Sequence, residues 1–233
     1  MKSPLLEHFD KIIASGYNLK PMTVAVPPGQ VVGYRDEPPN WVGVVRSGLL
    51  EGFELEPDLN PTHTTAYYAG DLLFEEALYP RMTPRPHGIQ SISKVIITAL
   101  PADEVLKFAR QNIRFSNDLL KLLSLALHDA QMRYVMKSWP VVRQFAWTIL
   151  HIIDNEERDG QIVPYSQNRL ANALGTNEVY LKNAIKRLKE GGVVEVLRGD
   201  EGPGLKIVDR AAIEAISQNE VPARGGAKPL SLF

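Results

Sequence analysis

Apolar positions at the start of the chain, Leu5, Leu6, Phe9, Ile12 and Ile13, recur at helical spacing and predict one short amphipathic helix ending at Gly16. From Pro21 to about Leu100 the period shortens. Runs such as Val24-Ala25-Val26, Val31-Val32, Trp41 to Val45, Leu49 to Leu55, Thr64 to Tyr68 and Ile89 to Leu100 alternate with turn punctuation. The punctuation is Pro27-Pro28-Gly29, Pro38-Pro39-Asn40, Ser47-Gly48, Pro57 to Pro61 and Gly70-Asp71. Short β-rich runs broken this often predict a sandwich or barrel of jelly-roll type.

From Pro101 onward the pattern is helical. Pro101-Ala102-Asp103-Glu104 places a proline in the first turn and carboxylates at the positive end of the helix dipole. One long helix is expected from there to about Ser138, where Trp139-Pro140 interrupts it. It carries two apolar seams. Phe115, Leu119, Leu122 and Ala126 form the first, continued by Asp129, Arg133 and Met136; Leu120, Leu123, Leu127, Ala130 and Tyr134 form the second. Two stripes on one helix suggest that one packs on the barrel and the other on a partner helix, and polar residues in a seam fit a role in fixing register. Val141 to Ile153 predicts a further helix, Asp154 to Gly160 an exposed turn, and residues 166–190 two short helices. Val193 to Leu197 and Leu205 to Val208 flank a turn from Gly199 to Gly204, a hairpin by spacing. After Ile216 the chain turns polar and carries Gly225-Gly226, which reads as a frayed tail.

The sharpest local signal lies between Gln167 and Ile185. Two helices that cross steeply need a small residue where they touch, which Ala171 supplies. The turn between them favours a residue that tolerates positive φ, which Gly175 supplies. Leu170, Leu174, Leu181, Ile185 and Leu188 lock one helix on the other, and Thr176 or Asn177 caps the second. With the hairpin that follows, this is a winged helix-turn-helix.

Composition narrows the setting. The 233 residues suffice for two domains, and 44% hydrophobic with 23% charged residues is ordinary for a globular protein. No apolar run approaches a membrane span, the start has no secretory h-region, and a cytoplasmic protein without membrane contact is expected. The absence of cysteine excludes disulfides, thiolate metal sites and thiol nucleophiles. A net charge of −1 argues against coating nucleic acid by bulk charge. Residues 166–190 nevertheless hold five basic side chains (Arg169, Lys182, Lys186, Arg187, Lys189) against two acidic ones (Glu178, Glu190), a local net of +3. Phosphate contact requires such a local excess.

Taken with the barrel stretches Trp41 to Gly48 and Tyr67-Tyr68-Ala69-Gly70-Asp71, this order of elements resembles the Crp/Fnr family of bacterial transcription regulators over nearly the whole chain. The resemblance implies an α+β protein in which a cyclic-nucleotide-binding-like β-roll (jelly roll) is followed by a long dimerisation helix and a C-terminal winged helix-turn-helix. The corresponding boundaries are 1–110 for an effector-binding β-roll, 111–138 for the dimerisation helix, 139–217 for the DNA-binding domain and 218–233 for a tail. It implies an effector-responsive homodimer on a pseudo-palindromic double-stranded DNA operator, with RNA polymerase as a further partner. Relatives that read a TGTGA-type half-site carry Glu and Arg four residues apart in the second helix; by register these are Val179 and Asn183 here, so the operator is expected to differ. The base-facing candidates are Asn177, Glu178, Tyr180, Lys182 and Asn183, with Ser166, Gln167, Lys186 and Arg187 placed for phosphates.

The effector remains open among three readings. The Gly-Glu-x-Gly cassette and later Arg-Ser of cyclic-nucleotide-binding relatives correspond to Phe74-Glu75-Glu76-Ala77 and Arg85-Pro86. Glu75 and Arg85 persist, but Phe74 replaces a glycine and Pro86 removes a hydroxyl and an N–H. The Tyr67-Tyr68-Ala69-Gly70 and Leu78-Tyr79-Pro80 pattern, with Trp139-Pro140, looks more like the organohalide-respiration branch, whose members bind chlorinated phenolic acids. An aromatic anion held by Tyr79, Lys121, Ser124 and His128, with Lys121 as charge partner, is therefore preferred. Haem is the third reading, with His8, His63, His87, His128 and His151 as axial candidates, none in a diagnostic motif. An enzyme is not expected: a cupin metal site needs a His-x-His pair with a nearby glutamate, and no acid–base or nucleophile constellation stands out. An effector-free docking module is the remaining alternative.

Overall fold

The structure, a computed structural model, describes residues 3–15, 17, 19–55, 61–79, 87–155, 162–164, 167–199 and 202–218. The chain divides into two compact units, Met1–Tyr134 with Asp154–Glu157, and Val135–Ile153 with Arg158–Phe233.

The first unit opens with helix α1 (Pro4–Ala14), capped by the Ser3 hydroxyl, which accepts from the Leu5 N–H at 3.2 Å. Among the described residues, eight antiparallel strands follow: β1 (Met22–Val26), β2 (Val31–Gly33), β3 (Trp41–Ser47), β4 (Leu49–Leu55), β5 (Pro61–Tyr68), β6 (Leu72–Leu73), β7 (Gly88–Ser91) and β8 (Val95–Pro101). They form two sheets, ordered β1-β8-β3-β6 and β2-β7-β4-β5. Val26, Val45, Leu73, Ile97 and Ala99 of the first sheet meet Leu50 and Ile89 of the second in a common core, which is the expected β-roll. The alternation within β3 explains why Val42 to Val45 reads as an unbroken apolar run. Val45 faces the sheet–sheet core, whereas Val42 and Val44 face a second core made with the helices, so both faces of this sheet are covered.

The expected single helix from Pro101 to Ser138 is two helices, α2 (Ala102–Gln111) and α3 (Ile113–Met136). Asn112 separates them with extended dihedrals, φ −139 and ψ 103, and its side-chain oxygen accepts from the Arg114 and Phe115 N–H groups, both at 3.1 Å. Asparagine competes well for such a capping role, and a good local cap outweighs the helical pattern on either side. The first seam of α3 packs as expected: Phe115 and Leu122 are buried, with Leu119 and Ala126 beside them, against Val42, Val44, Leu72 and Leu100 of the roll. Arg133 in that seam serves its own chain. Its guanidinium donates to the buried Asp71 carboxylate and lies 5.8 Å from the Tyr68 ring centroid. Burial alone would lower the Arg133 pKa, but the Asp71 charge and hydrogen bond raise it above its ordinary value, so the guanidinium stays charged.

The turn holding Asp71 is tightly specified. The Tyr68 N–H donates to Asp71 Oδ2 at 2.9 Å and the Asp71 N–H to the Tyr68 carbonyl at 3.0 Å. Gly70 between them has φ +95, and a Cβ there would come within 3.0 Å of the Ser3 side chain. Only glycine satisfies both conditions at low cost.

The second unit contains α4 (Val141–Asn155, all but its last two residues), β9 (Ile162–Pro164), α5 (Gln167–Ala173), α6 (Glu178–Glu190), β10 (Val194–Gly199), β11 (Gly202–Ile207) and α7 (Arg210–Ser217). Phe145, Ile149, Leu170, Leu181, Ile185, Leu188, Val194, Leu205 and Ile213 belong to one core. The expected hairpin is present, with β10 and β11 paired from Val194↔Ile207 to Gly199↔Gly202. A third strand was not expected: β9 pairs with the outer edge of β11 through Ile162, Val163 and Pro164. The turn expected at Asp154 to Gly160 begins inside α4, and its remainder lies outside the described residues, as do Gly16 and residues 219–233 of the expected tail. No helix among the described residues is long and apolar enough to cross a membrane.

Candidate functional site

Helices α5 and α6 are joined by Leu174-Gly175-Thr176-Asn177. Ala171, at the contact, is fully buried, and its carbonyl accepts from the Thr176 N–H at 2.9 Å. Gly175 has φ +65 with open space where a Cβ would lie, so the turn needs glycine for its backbone conformation and not for room. Asn177 caps α6: its side-chain oxygen accepts from the Tyr180 N–H at 2.9 Å. Of the two residues that could fill this role, the geometry selects Asn177 over Thr176.

The back of α6 is apolar and sealed, with Leu181, Ala184, Ile185 and Leu188 all buried. Its front is open. Val179 and Tyr180 are 64% and 60% exposed, and Lys182, Asn183, Lys186, Arg187, Lys189 and Glu190 are exposed with them. Glu178 and Lys182 pair across one turn at 2.7 Å, and Lys186 stands 3.8 Å from Glu190. Solvent-facing pairs of this kind contribute little to stability. The first turn of α6 also presents the positive end of the helix dipole. Of the phosphate candidates on α5, Gln167 is half-buried, and Ser166 lies outside the described residues, as does the Arg169 side chain.

The outer face of α3 has a different character. Ile113, Leu120, Leu127 and Tyr134, spaced by seven residues, are 78%, 63%, 61% and 77% exposed. Lys121, Ser124 and His128 are exposed beside this stripe, and the Ser124 hydroxyl donates back to the Leu120 carbonyl at 2.8 Å. Thus three of the effector candidates share one strip of α3, on the side turned away from the core of their own unit. Tyr79 stands on the roll, 63% exposed, after the single 3-10 turn Glu75–Leu78, in which Glu75 is exposed. Arg85 and Pro86 lie outside the described residues.

The filling of the roll interior is not foreshadowed by any local pattern. Phe74 is 3% exposed and adopts φ +65 and ψ 33, the left-handed region that costs a bulky side chain on the order of 1–2 kcal/mol. Its ring meets Trp41 edge-on with centroids 4.1 Å apart. The backbone here has the shape glycine would take cheaply, while the side chain occupies the interior. Nearby in the same unit, the Tyr67 hydroxyl lies 2.9 Å from His87 Nε2. His8 is buried with Nε2 2.8 Å from the Asp118 carbonyl oxygen, and His151, in the second unit, stacks on Trp147 at 4.8 Å. The His63 side chain lies outside the described residues.

Residues 144–216 match the model of the Crp-like helix-turn-helix domain. No curated protein matches the sequence. Among solved structures, FixK2 from Bradyrhizobium japonicum is 15% identical, with 88% of this chain and 100% of that chain covered and a TM-score of 0.67. TTHB099, a CRP-family transcriptional regulator from Thermus thermophilus, is 16% identical over 86% of this chain and 100% of that one, with a TM-score of 0.62. TTHA1359, a CRP/FNR-family transcriptional regulator from the same organism, is 18% identical over 84% and 98%, with a TM-score of 0.61. Residues 144–216 are therefore a Crp-like helix-turn-helix domain, within a chain that has the fold of Crp/Fnr transcription regulators.

Proposed function

We propose that this protein is a homodimeric, sequence-specific DNA-binding regulator of transcription whose activity a small-molecule effector sets. The observation that carries the reading is α6: an apolar back buried to the last leucine and a front of exposed cations around an open first turn. Such a helix fits the major groove, where its first turns face base edges and its later cations meet phosphates. Asn177, Glu178, Tyr180, Lys182 and Asn183 take the base side; Ser166, Gln167, Lys186 and Arg187 take the backbone. The fold it shares with CRP/FNR-family regulators supports the same reading.

The second copy is argued from α3. Exposed apolar residues repeating every seven positions, Ile113, Leu120, Leu127 and Tyr134, are the pattern of a helix that packs along another helix. A twofold pair of recognition helices then calls for a pseudo-palindromic operator. RNA polymerase would be the partner of the bound dimer, in the cytoplasm, where a chain without cysteine loses nothing to reduction.

For the effector, an aromatic anion remains the preferred class, in the manner of the organohalide-respiration branch. Lys121, Ser124 and His128 offer a cation, a hydroxyl and an imidazole beside the α3 stripe, with Glu75, Tyr79 and Arg85 as the roll-side candidates. A cyclic nucleotide fits less well, because Phe74 fills the roll with its ring where relatives have glycine. Haem at His8 or His87 would need the histidine to leave its present neighbour. Coupling requires only that the ligand bind two arrangements of the dimer differently.

The test is selection from a random duplex pool with the full chain. Enrichment of an inverted repeat with half-sites about one helical turn apart is expected. Recovery of unenriched DNA would overturn the reading. Adding a chlorinated phenolic acid, cyclic AMP or haem should then change the measured affinity for the selected duplex for one of the three; indifference to all would favour an effector-free regulator.

A further inference from the structure

The first two turns of α6 present an apolar side chain where a DNA-reading surface is otherwise polar. Val179 is the second residue of the helix and 64% exposed. It lies opposite the buried face of Leu181, Ala184, Ile185 and Leu188, one turn before Asn183, and these two occupy the outermost edge of the helix. Glu178 and Lys182 pair with each other at 2.7 Å on the flank, and the Asn177 oxygen holds the cap.

Resting on the DNA-binding role of α6 argued above, we propose that Val179 is a specificity-determining residue that reads the 5-methyl group of a thymine in each half-site, with Asn183 reading an adenine beside it. Valine carries no donor or acceptor, so it cannot recognise the edge of guanine, cytosine or adenine. The single apolar feature of the major groove is the thymine methyl, and adenine is the natural bidentate partner of an asparagine side chain. The β-branch holds Val179 in one strongly preferred rotamer on a helix, so its methyl groups are presented in place with little entropy left to lose. Two adjacent readers of this chemistry select A·T pairs at positions where a Glu and Arg pair would select G·C. The consequence is a half-site with A·T pairs at the two positions these residues read.

The experiment uses the full chain and the duplex recovered by selection from a random pool. Each thymine is replaced in turn by deoxyuridine, which removes only the methyl, and dissociation constants are measured by fluorescence anisotropy. One thymine per half-site should weaken binding roughly three- to fivefold on replacement, about the value of one desolvated methyl. Val179→Ala should lose a similar factor on the thymine duplex and should not distinguish thymine from uracil at that position. Val179→Ile should retain the distinction. Because Val179 is exposed, unchanged melting of the variants is expected and separates a lost contact from a lost fold. Indifference of the wild-type protein to every deoxyuridine overturns the inference while leaving DNA binding intact, as does a Val179→Ala defect that persists equally on thymine and uracil. A pool that yields no enriched sequence overturns the DNA-binding reading itself, and the assignment of Val179 with it.

Discussion

Helices α3 and α6 each bury one face and expose the other, yet what they expose is opposite in kind. The free face of α6 is cationic and amide-bearing: Lys182, Asn183, Lys186, Arg187 and Lys189. The free face of α3 carries Ile113, Leu120, Leu127 and Tyr134 in a seven-residue repeat. Water solvates the first surface well and the second badly. A cationic face invites a polyanion and is screened by salt; an apolar stripe invites another apolar stripe and is not. Under the proposed function, the difference gives the two helices different partners, nucleic acid for α6 and a second copy of the chain for α3.

The inner faces respond to substitution more strongly than the outer ones. Asp71 is 1% exposed and holds Arg133 of α3 together with the Tyr68 N–H. Asp71→Ala leaves the half-buried Arg133 guanidinium without its carboxylate and should cost about 3 kcal/mol in urea unfolding, the low end for breaking a buried pair because the guanidinium keeps some solvent. A loss under about 1 kcal/mol would mean that the α3 end is held elsewhere. Next in size is the stripe itself. Leu120→Glu with Leu127→Glu should raise the dimer dissociation constant by about a hundredfold or more in analytical ultracentrifugation, from the apolar area withdrawn on both copies. Retained melting is expected, since both side chains are exposed in the single chain; an unchanged association state would contradict the α3 assignment. Smaller again is the cap of α6: Asn177→Ala should lower stability by about 1 kcal/mol by thermal unfolding.

The same contrast explains what the sequence made legible. The helix-turn-helix could be read almost residue by residue because its determinants are local: Ala171 at the contact, Gly175 at φ +65, Asn177 at the cap and leucines at helical spacing are all within one short stretch. The cationic front was legible from the same stretch. The roll was legible as a class, from its turns, but its interior was not. Phe74 reads as a lost glycine, and only the fold reveals that its backbone keeps a left-handed conformation while its ring packs on Trp41. Strand β9 has three residues and exists because β11 offers a free edge, a pairing about 40 residues away in the chain that no local pattern encodes. Arg133 reads as a polar member of a dimer seam, whereas its partner Asp71 lies 62 residues earlier in the same chain. Asn112 is the counterexample: a local signal, missed because the apolar spacing on both sides of it continues to read as helix. Val179 reads in the sequence only as a departure from the Glu and Arg pattern, not as a base reader itself. It has no hydrogen-bonding group, so only its exposure marks it.

The salt dependence of DNA binding tests the assignment of α6 most directly. The affinity of the full chain for its selected duplex, measured from low to moderate salt, should fall linearly on a double-logarithmic plot with a slope of about −0.9 for each phosphate neutralised. Lys186→Ala with Arg187→Ala should reduce the magnitude of that slope by about 2 per protomer and weaken binding to selected and random duplexes alike. An unchanged slope in that double variant would place phosphate contact on another surface and contradict the account.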